Sequence, residues 1–300
     1  MQPLSNLLFG MLRMSTPLLL AGMAGVLSQQ VNLLNIALEG LMLAGAFFAV
    51  VIGAYFGSAW VGLLAAILFA LLFALIFGFF IIDLKANLIV AGLALNILAI
   101  GITSYLLVIW FNARGVYSPG NFKKLPTLTL PLIEKIPFLG DVLSGHGVLV
   151  YVSWLAVLFT SLLLYRTPLG VHMRAVGEHK ESAETAGIPV KRVQYIAILI
   201  GGIMCGIAGA QLAIGDLTLF SDNMTNGRGF IALAAVFFGG ARPGLTALGC
   251  LLFGLFEALQ FRLQIGTGLP PQLVQMLPYI MVVLLLIFIS VRDKYRGKTA

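Results

Sequence analysis

Residues 59–82 read AWVGLLAAILFALLFALIFGFFII, and this stretch decides the class of the molecule. It holds no charged residue and no proline. As a helix it rises about 36 Å, more than the ~30 Å of hydrocarbon in a bilayer. A strand of a membrane barrel would alternate apolar with polar residues, and this run does not alternate. The rest of the chain is built the same way. Of 300 residues, 60% are hydrophobic and 10% charged, whereas an ordinary soluble domain carries about 25% charge. No single globular core absorbs so much apolar surface, so lipid is part of the solvent. A soluble enzyme, a disordered chain and a disulfide-stapled secreted domain are excluded. Cys205 and Cys250 both lie inside apolar runs and read as small packing residues.

Working outward, apolar helices are expected over 7–28, 36–56, 59–82, 86–111, 147–165, 193–214, 228–241, 244–262 and 273–291. The fold class is therefore all-α: a polytopic membrane bundle of about 8–10 transmembrane helices in a single domain over 1–300. The run 7–28 is interrupted by Arg13 and Pro17. The run 228–241 is short and ends in Gly239-Gly240-Ala241-Arg242-Pro243-Gly244, which cannot continue a straight helix. This predicts a broken helix pair within 228–262. The N-terminus lacks the charged lead, short apolar core and small-residue cleavage site of a signal peptide, so its first run is expected to be retained.

Three polar segments remain. Residues 112–146 form a Pro-rich connection with Pro119, Pro126, Pro131 and Pro137. Residues 166–192 form the most charged loop, with Arg166, Arg174, Lys180, Lys191 and Arg192 against Glu178, Glu181 and Glu184. The tail from Arg292 carries more cations. Lys and Arg gather on the cytoplasmic side of membrane proteins. Placing 166–192 and the tail inside puts about eleven cations there, with Lys85 and Arg242 among them, and about five outside. Loop 112–146 is then external, loop 166–192 is cytoplasmic, and so is the C-terminus. The net charge of +7 thus reflects orientation rather than nucleic-acid binding.

Chemistry is sparse. Gly297-Lys298-Thr299 resembles the end of a nucleotide loop, but Arg292 stands where the first glycine belongs, and no strand or helix frames it. His146, His172 and His179 have no convergent ligand spacing and read as surface histidines. No metal, cofactor or catalytic constellation is expected, and the chain reads as a non-enzyme. The polar residues within apolar runs are Asn35, Glu39, Asn96, Glu257, Gln260 and Gln264. Asn35 and Glu39 are four apart, which places them on one helical face, with Leu34, Leu41 and Phe48 opposite and expected to face lipid. Charged groups in lipid are costly and turn inward. Asn35, Glu39 and Asn96 either line a path for a hydrophilic solute or hydrogen-bond between helices. Gly201, Gly202, Cys205, Gly206, Gly209 and Ala210 recur at three and four and predict close helix packing.

Loop 166–192 carries most information. Glu178 to Ala186 can form a short helix, with Gly187 as its stop and Pro189 preventing continuation. Two short helices joined at Gly177 would lie on the cytoplasmic face. Ala183, Ala186 and Ile188 would offer a small apolar knob to a partner, although an ordinary charged connector would look similar. Here the loop resembles the coupling segment of importer permeases of the branched-chain amino acid, ribose and nucleoside group. The matching residues are Gly170, Arg174-Ala175-Val176-Gly177-Glu178, Ala183 and Ala186-Gly187-Ile188. The run Asn32 to Phe47 and the run Gly227 to Gly239, followed by Pro243-Gly244, are similar to that group as well, and most to its nucleoside-type permeases. Ala37 departs from the glycine usual there.

The resemblance implies an ATP-binding-cassette importer in the plasma (inner) membrane of a bacterium. This chain and a longer sister permease would form the path as a heterodimer. A cytoplasmic ATPase would seat on Arg174, Gly177, Glu178, Ala183, Ala186 and Gly187. A substrate-binding lipoprotein would deliver the solute, a nucleoside or simple sugar, for alternating access. The competing class is a secondary transporter or channel acting alone.

Overall fold

The computed structural model describes residues 2–120, 124–129, 139–266 and the single positions 276 and 280. The expected helix 273–291 and the cationic tail fall outside the described residues. Among the described residues, seven helices are long and apolar enough to cross a membrane, and the half-length Arg228–Phe238 adds to them. The chain is therefore an all-α membrane bundle.

Helix α1 spans Gln2–Gln29 and runs unbroken through Arg13 and Pro17. The expected helix is present, and Arg13 within it is paired: its Nε donates to Asp216 at 2.6 Å. The hydroxyl of Thr16 turns back to the carbonyl of Leu12, so it too is satisfied inside the helix. An irregular turn over 30–37 leads to α2, Leu38–Phe56, and then α3, Ala59–Gly78, which continues as a wider π turn to Asp83. Helix α4 spans Leu88–Phe111; Asn87 caps it, its Oδ1 accepting from the amides of Ile89 and Val90. After a short α5, Leu139–Leu143, come α6, Val148–Arg166, and two surface helices, α7, Pro168–Glu178, and α8, Lys180–Thr185. Helix α9, Val190–Ala210, extends through a π segment to Leu217. The predicted broken pair is present as α10, Arg228–Phe238, and α11, Pro243–Gly266. The turn between them carries Gly240 and Ala241 at positive φ, which a continuous helix forbids.

The small-residue stripe of α9 holds the centre together. Gly201 faces Ala24 of α1, Gly202 faces Ala74 of α3, and Gly206 and Gly209 lie against the backbone of α3 and α2. A Cβ on Gly209 would stand 2.1 Å from the carbonyl oxygen of Met42, so only glycine permits this approach. Where lipid solvates every apolar surface, such backbone proximity supplies the packing that hydrophobicity cannot. Helix α2 is consequently enclosed, with 78% of its span buried against 33% for α4 and α6. Leu41 and Phe48, expected to face lipid, are buried at 0% and 7% exposure because α3, α4 and α9 surround α2.

The two ends of the bundle differ. One gathers the 166–192 segment, Asp83 with its ion pair to Lys191, and the 239–242 turn, which accepts from Gln30 at Ala241. The other gathers residues 112–120, 124–129 and 139–147 with 216–227; strand β1, Val116–Tyr117, pairs there with β4, Phe220–Ser221. A second two-residue ribbon pairs β2, Thr127–Leu128, with β3, His146–Gly147. His146, expected at the surface, is 1% exposed. Its ring stacks on Phe9 with centroids 3.9 Å apart, and its Nε2 bonds the carbonyl of Val142 at 2.8 Å. The aromatic neighbours Phe9, Tyr151 and Trp154 build a pocket for the ring that sequence spacing does not show.

Candidate functional site

The segment 166–192 folds by local rules. Thr167 caps α7, its hydroxyl accepting from the amide of Gly170 at 3.1 Å, and Pro168 occupies the first turn, where no amide is needed. The apolar face of α7 buries Met173 and Val176 against the bundle. Near its end Gly177 lies on the carbonyl of Gln30, so close that a Cβ would be 2.3 Å away. This docks α7 directly on the end of α1. The joint between the two short helices is His179, in extended conformation, rather than Gly177, which stays helical because close packing is what it is needed for. Gly187 ends the second helix at φ +82, as its place before Pro189 suggests.

Four of the six residues expected to couple to an ATPase, Arg174, Glu178, Ala186 and Gly187, are exposed on this end. The Arg174 guanidinium also lies 5.6 Å from the centroid of the Tyr165 ring. Gly177 is half-buried against α1, and Ala183 is 4% exposed. Ala183 therefore packs into its own bundle and does not join Ala186 in an outward knob; Ile188, partly buried on the core, does not either.

The intramembrane polar residues converge at helix ends. Helix α10 begins after Gly227, which has no side chain to cap it. Glu39 supplies the cap from α2: its Oε1 accepts from Gly227 N–H at 2.8 Å and its Oε2 from Gly229 N–H at 2.6 Å. Helix α2 begins after Ala37, which likewise cannot cap. Asn96 of α4 does so, its Oδ1 accepting from Gly40 N–H at 2.8 Å and its Nδ2 donating to the carbonyl of Ile36 at 3.0 Å. Asn35 lies in the turn before α2 and not on its face; its Oδ1 accepts from Ala37 N–H. All three are at most 5% exposed. Each thus satisfies amides that a helix end leaves unpaired, which matters most where no water can do so. The signal in sequence is indirect: a helix start with Gly or Ala at the capping position needs a polar group from elsewhere.

A second polar group adjoins the start of α10. Arg13 pairs with Asp216, which also accepts from Gln211 Nε2, and Arg228 pairs with Glu257 at 3.3 Å. These pairs tie α1 to the end of α9 and α10 to α11. Glu257 is therefore engaged in holding helices together. No three His, Cys, Asp or Glu side chains come together as a metal site among the described residues.

With this geometry in place, comparison with known proteins is decisive. The sequence profile of the permease component of branched-chain amino acid transport systems matches residues 7–286. The chain belongs to this permease family. This permease is 34% identical to the guanosine transporter permease NupQ of Bacillus subtilis, over 91% of this chain and 88% of the other. It is 30% identical to the nucleoside transporter permease NupC of Lactococcus lactis, over 92% and 89%. A Haloferax volcanii chain named for glucose transport is 32% identical over 97% and 93%. The fold matches an inward-facing metal-chelate type ABC transporter with a TM-score of 0.55 over 95% of this chain and 85% of that one, at 18% identity. The permease is thus a multi-pass membrane component of an ABC importer.

Proposed function

We propose that this permease carries nucleosides across the plasma (inner) membrane of a bacterium, as one of two membrane subunits driven by a separate ATPase. The observation that carries the reading is near full-length likeness to two permeases named for guanosine and nucleosides. A sugar is the second reading, favoured by the Haloferax volcanii relative. The ATPase seats on the cytoplasmic 166–192 segment, where Arg174, Glu178, Ala186 and Gly187 are exposed. Helix α7 passes its motion to α1 through Gly177, and α8 passes its motion to α9 through the packed Ala183 and Val190. Glu39, Asn96 and Asn35 hold the starts of α10 and α2 beside the path, so that these helices reorient as rigid pieces in alternating access. The sister permease completes the path, a binding lipoprotein delivers the solute to the external 112–146 side, and the C-terminus is cytoplasmic.

Co-expression with the ATPase, sister chain and lipoprotein, followed by uptake of labelled guanosine and glucose, tests the reading. ATP-dependent guanosine uptake supports it, and glucose uptake without guanosine uptake replaces it with the sugar reading. Ala186→Asp should leave insertion intact while uncoupling ATP hydrolysis from uptake. A cysteine at Ser182 labelled only from outside would refute the cytoplasmic placement.

A further inference from the structure

Two open grooves flank α3 and share the ring of Phe69. One, of about 550 Å³, is lined by leucines of α3 and by Leu199 of α9. Apart from Phe69 its walls are aliphatic and suit a lipid tail. The other, of about 650 Å³, opens where α2, α3 and α4 meet the segment after α4. Six aromatic rings line it: Phe48, Tyr55, Phe69, Trp110, Phe111 and Tyr117. Phe48 and Phe69 stack at 3.5 Å with planes 7° apart, and Phe111 stacks on Tyr117 at 3.9 Å. Tyr55 and Trp110 are 82% and 52% exposed, with Phe47 stacked on one side of the Trp110 ring at 6.3 Å. Among the described residues, no hydrogen bond occupies Tyr55 Oη, Tyr117 Oη or Trp110 Nε1.

Tyrosine and tryptophan also gather where helices leave a membrane. Such a belt needs no concavity. Here rings from four segments converge on one concavity, in a volume typical of small-molecule sites. Flat walls select a flat ligand, because every base offers a π-face to stack on an aromatic side chain. The free hydroxyls and indole N–H can meet polar edges of a ring, which a lipid tail lacks.

We propose that this groove is a stacking subsite for the base of a nucleoside, at the end of the bundle opposite the 166–192 segment. The inference rests on the nucleoside-import reading and adds where the base is held. Its half-open shape suits a transient stop, with the ribose toward the mouth.

The test uses the full chain in lipid nanodiscs with Trp60→Phe and Trp154→Phe, which leaves Trp110 as the reporter. Guanosine should quench its fluorescence saturably in the millimolar range, and ribose should not. Tyr55→Ala, at an exposed position that cannot threaten the fold, and Tyr117→Ala should each raise the guanosine dissociation constant about tenfold. Absence of saturable quenching, an equal response to ribose, or indifference to both tyrosine substitutions overturns the subsite and leaves an aromatic belt. Uptake by the assembled wild-type transporter separates the two readings. Guanosine import with a silent Trp110 removes the subsite and keeps the function. Import of glucose alone removes the function whatever Trp110 reports.

Discussion

Replacing Glu39 with alanine removes the cap of α10 and should be among the most damaging single changes in this protein. The carboxylate takes two backbone amides, Gly227 at 2.8 Å and Gly229 at 2.6 Å, in a site 4% exposed. Leaving a buried donor unsatisfied costs about 1–3 kcal/mol. Two such donors, plus ~1 kcal/mol for a negative group lost from a helix N-terminus, give roughly 3–7 kcal/mol. Glu39→Gln keeps one acceptor and turns an amide group toward the second donor, so about 1.5–3 kcal/mol is expected. Thermal unfolding in detergent should therefore rank wild type above Glu39→Gln above Glu39→Ala, and uptake should follow the same order. Wild-type melting and uptake in both variants would refute the cap. A wild-type melting temperature with lost uptake would instead assign Glu39 to the path itself.

Asn96→Leu should destabilise the start of α2 by about 2–4 kcal/mol, since Gly40 N–H and the Ile36 carbonyl lose their partners; faster amide exchange at 38–41 would report it. Gly209→Ala should lower stability by about 1–3 kcal/mol, because α2 and α9 must part to admit the methyl beside the Met42 carbonyl, and a lower melting temperature would show it. Burial holds the pKa of His146 below its ordinary 6.5. The unfolded chain then binds the proton first, so this contribution is complete above about pH 6.5 and falls as pH drops toward the lowered folded value. Proteolysis of the 139–147 region should accelerate on acidification, and His146→Phe should remove that dependence.

Much of the fold is legible in local residues. The break between α10 and α11 follows from Gly239 to Gly244, and the stop at Gly187 follows from a glycine before a proline, because both depend only on which φ values a residue tolerates. The stripe in α9 is legible for a related reason: small residues at three and four can only mean close approach. The candidate site was less legible. Ala183 looked outward by spacing, yet which face of so short a helix is buried depends on where α7 and α9 lie. Asn35 and Glu39 looked like one helical face, yet α2 begins between them.

What the sequence by itself determined is the solvent and the segments: hydropathy acts residue by residue, so runs such as 59–82 declare a membrane helix without reference to anything distant. What only the tertiary structure decided is the partner of each buried polar group. Glu39 meets an amide 188 residues away, Asn96 one 56 residues away, and Arg13 a carboxylate 203 residues away. A polar group inside a bilayer must find a hydrogen bond, and composition announces that need. Which helix end or counter-charge answers it depends on how the helices are assembled, and no periodicity along the chain encodes that.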